Sequence, residues 1–99
     1  MEVKKYEQDI KGLQTLFQNE VKFGLVNIQP GERVPGTGLS NHNEDEYSYI
    51  IEGSIEGECG GHRFKASEGE ATFIPSGEQH WAVNNSDKVC RIVWTLVKP

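Results

Sequence analysis

Two histidines and one glutamate of this 99-residue chain have the types and positions of a metal site. His42 lies in a polar loop that runs into an apolar segment beginning at Glu46, and His80 lies between two short apolar segments. Two histidines and a carboxylate from separate strands form a 2-His-1-carboxylate set, which leaves coordination positions open for a substrate. The third histidine, His62, follows a pair of glycines, so we expect it at the surface.

The spacing around His80 is more specific than the histidine alone. Gly69, Pro75, Gly77, His80 and Asn84 fit the pattern G-x5-P-x-G-x2-H-x3-N at every fixed position. That pattern is the second signature of the cupin superfamily, so the chain resembles a small single-domain cupin. The resemblance implies an all-β fold of the cupin type, a double-stranded β-helix or jelly-roll barrel.

The first cupin signature, G-x5-H-x-H-x3,4-E-x6-G, is matched only in part. Glu46 and Gly53 fit its second half, and His42 falls on its second histidine. Ser40 stands where the first histidine would be, and Val34 stands where the leading glycine would be. The resemblance covers roughly residues 21–97.

The resemblance implies that one divalent transition metal (Fe, Mn, Ni or Zn) binds to His42, Glu46 and His80. Ser40 falls on the fourth ligand position of the family, but a serine hydroxyl is a poor ligand because it stays protonated near neutral pH. Ser40 is therefore expected either to leave the site open to water or to weaken it until it is empty. Glu44 is an alternative fourth ligand, or only a solvated acid.

Short strands must carry these residues, because turn residues recur along the whole chain. Strands at a spacing of about ten residues are typical of a sandwich or barrel. We expect a loop over 32–43 and one domain over 1–99, with a barrel core at about 21–97. Residues 1–20 fit either a strand or a short helix, and a helix there would make the fold α+β. The predicted strands are 21–28, 46–52, 54–59, 62–67, 71–74, 81–84 and 89–97.

One hairpin can be predicted residue by residue. A two-residue turn at residues 60–61 sets Glu58 opposite Arg63 and Glu56 opposite Lys65, so acids face bases on one side. A slip by one residue would break both this pairing and the apolar side. The other side carries Ile55, Gly57, Cys59, Phe64 and Ala66.

Alternation along 46–52 places apolar side chains on both faces of that strand. Glu46, Ser48 and Ile50 are expected inside, and Tyr47, Tyr49 and Ile51 outside. Trp81 and Val83 are expected on the outer face of another strand. So much outward apolar surface predicts a homodimer. The alternative is that the first 20 residues cover the face with Leu13, Leu16 and Phe17.

Composition limits the partners. A formal net charge of −5 argues against binding to nucleic acid or to an anionic membrane surface. No apolar run exceeds three residues, so neither a transmembrane helix nor a signal peptide is predicted, and we expect a cytoplasmic protein. Cys59 and Cys90 fit small, half-buried residues, although Cys59 could form a separate soft metal site with His62.

The fold class alone does not choose a function. The first hypothesis is a metal-dependent enzyme, such as a dioxygenase, isomerase or lyase, that acts on a small polar or aromatic molecule. The second is a non-enzymatic ligand-binding or accessory protein with a weak or empty metal site. A general base would favour the first hypothesis, but Glu44 and Tyr49 are the only candidates, and Tyr49 points away from Glu46 by parity. No catalytic residue is assigned.

Overall fold

The computed structural model describes residues 1–99 and consists of strands and connecting turns, without a helix. The structure therefore contains no helix that is long and apolar enough to cross a membrane. The strands are β1 (Gly12–Gln18), β2 (Val21–Ile28), β3 (Arg33–Val34), β4 (Asp45–Glu52), β5 (Ser54–Cys59), β6 (His62–Ser67), β7 (Ala71–Ile74), β8 (His80–Val83) and β9 (Cys90–Val97). They form two antiparallel sheets, with strand orders β1-β2-β9-β4-β7 and β3-β8-β5-β6. The predicted all-β jelly-roll class is confirmed.

The structure corrects the prediction for one segment and decides between two alternatives for another. Residues 32–43 are not entirely loop, because they contain β3 and an isolated bridge between Ser40 and His80. The N-terminal residues 12–18 form a strand, so the helix alternative is wrong. The register of β1 shifts between Thr15 and Phe17. This bulge inserts Leu16 and breaks the alternation that would have marked a strand.

The hairpin of β5 and β6 has the predicted register at every pair. Glu58 lies opposite Arg63, and Glu56 lies opposite Lys65. The apolar side of the hairpin faces the second sheet and supplies Ile55 and Ala66 to the core. The core between the two sheets consists of Ile28, Ile50, Ile55, Ala66, Ala82, Cys90 and Ile92.

The N-terminal segment 1–11 lies against the β1–β2 end of the five-stranded sheet. Asn27 of β2 accepts a hydrogen bond from the Tyr6 hydroxyl and donates to the carbonyl of Ile10 at 2.8 Å. The Lys4 ammonium lies 5.4 Å from the Phe17 ring centroid. The strand β1, which carries Leu13, Leu16 and Phe17, is separated from β4 by β2 and β9, and the tyrosines of β4 are about half exposed. The alternative that the first 20 residues cover these tyrosines is therefore wrong.

The outer face of β4 and β7 remains exposed. Tyr47, Tyr49, Ile51 and Phe73 are 52%, 49%, 41% and 51% exposed, and we call these four residues the aromatic face. The rings of Tyr47 and Phe73 pack with centroids 4.9 Å apart. Trp81 and Val83 do not extend this face, because β8 belongs to the other sheet.

Candidate metal centre

The structure brings His42, Glu46 and His80 together at one end of the sandwich. One ligand atom from each residue lies within 4.8 Å of the other two. Glu46 is on β4, His80 begins β8, and His42 precedes β4 in the connecting loop. The two imidazole rings meet edge to face, with centroids 5.3 Å apart. His62 is exposed on β6 and is not part of the group, as expected.

The turn at residues 75–77 fixes the two histidine-bearing segments to each other. The Gly77 N–H donates to the His42 carbonyl at 2.7 Å. The Ser76 N–H donates to the Asp45 carboxylate at 2.9 Å, and the Ser76 hydroxyl donates to the Asn43 carbonyl at 2.6 Å. Gly77 has a φ of 79°, which a residue with a side chain rarely adopts. The turn therefore sets the distance between His42 and His80.

Backbone carbonyls select the tautomer of both histidines. Nδ1 of His42 lies 2.9 Å from the Glu44 carbonyl oxygen, and Nδ1 of His80 lies 2.9 Å from the Glu78 carbonyl oxygen. A carbonyl oxygen only accepts, so Nδ1 carries the proton in each ring. In the neutral ring Nε2 then presents a lone pair. Histidines that bind a metal usually donate their other ring N–H to a carbonyl or carboxylate in this way.

The Nε2 lone pair of His42 has no hydrogen-bond partner, although the atom is buried. It lies 3.2 Å from Glu46 Oε1, which is also an acceptor, and the contact lacks hydrogen-bond geometry. The other Glu46 oxygen accepts a hydrogen bond from the Ser48 hydroxyl at 3.3 Å. Two lone pairs that face each other are stabilised by a cation between them. The nitrogen and oxygen donors thus fit a divalent transition metal.

Ser40 lies directly beside His80. The two residues exchange backbone hydrogen bonds, each of 2.9 Å. Residues paired in this way on antiparallel strands have side chains on the same face, with Cα atoms about 5.5 Å apart. Ser40 also lines the same cavity as His80. Its side chain therefore borders the candidate centre. A serine cannot supply the nitrogen donor that the first histidine of the cupin signature would provide at this position.

The other candidate ligands are engaged elsewhere. The Glu44 carboxylate lies 3.4 Å from the Lys22 ammonium. The Cys59 thiol donates to the Glu78 carboxylate at 3.1 Å instead of binding His62. Burial, together with that hydrogen bond and the nearby carboxylate charges, raises the pKa of Cys59 to about 11, so the thiol keeps its proton. Neither the Glu44 nor the Cys59–His62 alternative is supported by these contacts.

A cavity of about 590 Å³ extends from the candidate centre between the sheets. Its volume is in the range typical of small-molecule sites. The lining is mainly hydrophobic, and its polar residues include those of the candidate centre. The interior apolar residues include Ile50, Ile55, Phe64, Ala82, Ile92 and Trp94.

The sequence did not reveal the groups that orient the ligands. The carbonyls of Glu44 and Glu78 act through the backbone, so their side chains carry no signal for this role. The Ser76 contacts join residues 31 and 33 positions apart, which only the fold brings together. The inward position of Ser48 was predicted from parity, but its hydrogen bond to Glu46 was not.

Comparison with known proteins identifies the family. The family model Cupin 2, described as a cupin domain, matches residues 24–96. The chain is 30% identical over 74 residues to the tetracenomycin polyketide synthase protein TcmJ of Streptomyces glaucescens. This match covers 75% of the chain but only 48% of that protein, so the chain spans about half the length of this relative.

Solved structures share the fold of this chain. The TT1209 protein of Thermus thermophilus has a TM-score of 0.77 at 25% identity, with full coverage of both chains. A cupin 2 conserved barrel domain protein of Salinispora arenicola has a TM-score of 0.81 at 19% identity, covering 99% of this chain and 89% of the other. At 19% identity the latter shows the fold alone. With most of its length matched by the family model, the chain belongs to the cupin family.

Proposed function

We propose that the protein binds one divalent transition metal through His42, Glu46 and His80, and that it binds or transforms a small molecule in the adjoining cavity. The observation that carries this proposal is the buried Nε2 lone pair of His42, which faces Glu46 Oε1 at 3.2 Å without a hydrogen bond. The metal would be Fe, Mn, Ni or Zn, all of which accept imidazole and carboxylate ligands. When bound, it would polarise an oxygen of the ligand.

The name of the Streptomyces relative associates that protein with a polyketide synthase. Because the chain covers about half of that relative, we carry over only a small-molecule ligand. A proton acceptor beside the metal would favour an enzyme such as a dioxygenase, isomerase or lyase. Glu44 is paired with Lys22, and Tyr49 lies on the exposed aromatic face. These two observations favour the second candidate function, a ligand-binding or accessory cupin.

The test is metal analysis of protein purified without a His-tag or chelator. We expect about one bound transition metal per chain. The His80→Ala substitution should abolish binding, because the two ligands that remain are too few to hold the ion. His62→Ala is the matched control, since His62 is exposed and outside the group. Equal loss from both substitutions would refute the assignment of His80 as a ligand.

We also propose that the protein is a homodimer that associates through the aromatic face. The four exposed apolar residues of β4 and β7 support this interface, because a monomer rarely leaves such a contiguous patch uncovered. We propose a cytoplasmic location, since both cysteines are free thiols and Cys90 is fully buried.

A further inference from the structure

We propose that Cys59 is a positioning residue of the metal centre. Its thiol holds the side chain of Glu78, and this contact fixes the backbone carbonyl that orients the imidazole of His80. The inference rests on the proposed metal site, and it assigns a role to a residue that is not itself a ligand. It is carried by the contacts of the segment that leads into β8.

The carbonyl that orients His80 lies outside the strands. Glu78 and Gln79 connect the 75–77 turn to His80, which is the first residue of β8. The Glu78 carbonyl oxygen lies 2.9 Å from Nδ1 of His80. A peptide plane can rotate about its two flanking Cα atoms, because φ and ψ are the soft dihedrals of the backbone. The orientation of the His80 ring therefore depends on what holds residues 78 and 79.

The end of β5 and the turn after it hold both of these residues. The Cys59 thiol donates to the Glu78 carboxylate at 3.1 Å, and the Gly60 N–H donates to the Gln79 carbonyl at 2.9 Å. The Glu78 side chain lies directly on the turn, since a Cβ at Gly60 would be 2.5 Å from its Oε1. Two consecutive residues thus fix both flanks of the peptide plane whose carbonyl contacts His80.

The carbonyl that orients His42 is held in a different way. It belongs to Glu44, and the residues on either side of Glu44 are both bonded to Ser76. The Glu44 carboxylate pairs with Lys22, but both side chains are partly exposed, and such ion pairs contribute little. His42 therefore depends mainly on Ser76, whereas the orientation of His80 depends on a contact between two side chains.

Loss of this contact should weaken the metal site through the tautomer of His80. When no acceptor faces Nδ1–H, the proton can move to Nε2, and Nε2 then has no lone pair for a metal. Removing a group that orients a metal-ligating histidine typically lowers metal affinity about 10- to 100-fold. The Cys59 thiol is thus expected to affect metal binding without contacting the ion.

The first experiment is calorimetric titration of Cys59 variants with Ni²⁺. Cys59→Val removes the donor but keeps a similar volume, and it should weaken Ni²⁺ binding about tenfold. Cys59→Ser keeps a donor to Glu78 and should stay within about threefold of the unsubstituted protein. Cys90→Ala is the control, because it removes a buried thiol six residues along β9 from Leu96, the residue paired with Glu46. It should leave Ni²⁺ affinity within about twofold even if it lowers stability.

A double-mutant cycle tests whether Cys59 acts through Glu78. In a Glu78→Ala background the contact is already lost, so adding Cys59→Val should change Ni²⁺ affinity by less than about twofold. A full further loss in that background would show that Cys59 acts by another route and would overturn the inference.

The second experiment measures the tautomer of His80 by nuclear magnetic resonance of its ring nitrogens in the metal-free protein. We expect Nδ1 to carry the proton in the unsubstituted protein and in Cys59→Ser, and a mixture of both tautomers in Cys59→Val. The ring of His42 is the internal control and should not change, because Ser76 holds the segment that orients it. A single, unchanged tautomer of His80 in Cys59→Val would contradict the positioning role.

The outcomes separate this inference from the proposed function. If Cys59→Val binds Ni²⁺ as tightly as the unsubstituted protein, the role of Cys59 is wrong and the metal site stands. If Cys59→Ser loses as much affinity as Cys59→Val, and the unsubstituted protein shows a thiolate-to-nickel charge-transfer band, Cys59 is a ligand and not a positioning residue. If the unsubstituted protein binds no Ni²⁺, the proposed function fails, and the tautomer of His80 alone decides whether Cys59 orients this ring.

Discussion

Single residues determine how well the candidate centre is prepared for a metal. His42 and His80 each have Nδ1 fixed by a carbonyl two residues away in sequence, so both rings present Nε2. Glu46 has one oxygen bonded to Ser48, which leaves Oε1 toward the histidines. The centre therefore has three oriented donors, and Ser40 is the position at which it departs from a four-ligand arrangement.

Replacing Ser40 by histidine should complete the ligand set. The side chain of residue 40 is on the same face as His80, so an imidazole there would add a nitrogen donor to the three groups present. We expect Ser40→His to tighten Ni²⁺ binding at least about tenfold, or about 1.4 kcal/mol. Titration of both proteins with Ni²⁺ measures the gain. Thr37→His is the control, and an unchanged affinity for Ser40→His would contradict the ligand assignment.

Cys90 predicts a pH dependence of stability. Burial, with a smaller contribution from the Glu52 carboxylate, raises its pKa from 9.0 to about 11. Between these values the unfolded chain releases the thiol proton and the folded chain keeps it, so the free energy of unfolding falls as pH rises. At about pH 10.5 this loss amounts to about 2 kcal/mol.

Comparison with Cys90→Ala isolates this effect from other groups that titrate at high pH. Denaturant unfolding of both proteins at pH 7.5 and 10.5 gives the difference in their free energies of unfolding. We expect the advantage of the cysteine protein to shrink by about 2 kcal/mol at the higher pH. A pH-independent difference would show that the pKa of Cys90 is not raised.

At the scale of elements, two strands approach too closely for a side chain at Gly57. A Cβ at this position of β5 would lie 2.0 Å from the Trp81 carbonyl oxygen and 2.8 Å from Ala82 Cα. Both atoms are backbone atoms of β8, which also carries His80. The glycine thus allows β8 to pair with β5 without displacing the candidate centre.

Gly57→Ala should therefore destabilise the protein by about 3 kcal/mol, because the backbone of β8 must move. Gly36→Ala is the matched control, since a Cβ there meets nothing within 4 Å and its φ is not positive. The control should be neutral or stabilising by up to about 1 kcal/mol. Denaturant unfolding measures both variants, and similar stabilities would contradict the close approach of β5 and β8.

Elements with a complete local pattern could be predicted from the sequence. The β5–β6 hairpin was predicted pair by pair, because its glycine turn fixes the register and its two faces differ in polarity. The strand β3 was missed because two residues cannot show alternation. The sequence of β1 is ambiguous because its bulge interrupts the period of two.

The ligands of the candidate site could be predicted from the sequence, but the contacts of the neighbouring side chains could not. The resemblance to the cupin signatures implies the group of His42, Glu46 and His80, and the structure brings these residues together. The contacts of Glu44 with Lys22 and of Cys59 with Glu78 were not predictable. Both join residues that are distant in sequence and carry no joint pattern, so only the packing of strands brings them into contact.

At the scale of the whole molecule, the two outer surfaces differ. The five-stranded sheet presents the aromatic face, whereas the outer side of the β5–β6 hairpin carries the charged pairs Glu58–Arg63 and Glu56–Lys65. The N-terminal segment covers only the β1–β2 end of the larger sheet. The aromatic face therefore lies on one side of the sandwich, and the charged pairs lie on the other.

Association through this side can be tested by light scattering at micromolar concentration. We expect a mass about twice the 11.1 kDa of one chain. Tyr49→Lys should reduce it to that of one chain, because a lysine at the centre of the aromatic face would be desolvated in the interface. Asp87→Lys, on an exposed turn, should leave the dimer intact. A mass of one chain for the unsubstituted protein would refute the dimer.

The hydrogen bonds of the 75–77 turn to residues 42–45 have a thermodynamic consequence. The chain loses the conformational entropy of both histidine-bearing segments when it folds, and not when an ion arrives. Folding then does not require the ion, unlike the folding of small zinc domains that are unfolded without their metal. An ion would raise the melting temperature only by mass action, in proportion to the logarithm of its free concentration at saturation. The protein would remain folded through cycles of metal loss and reloading.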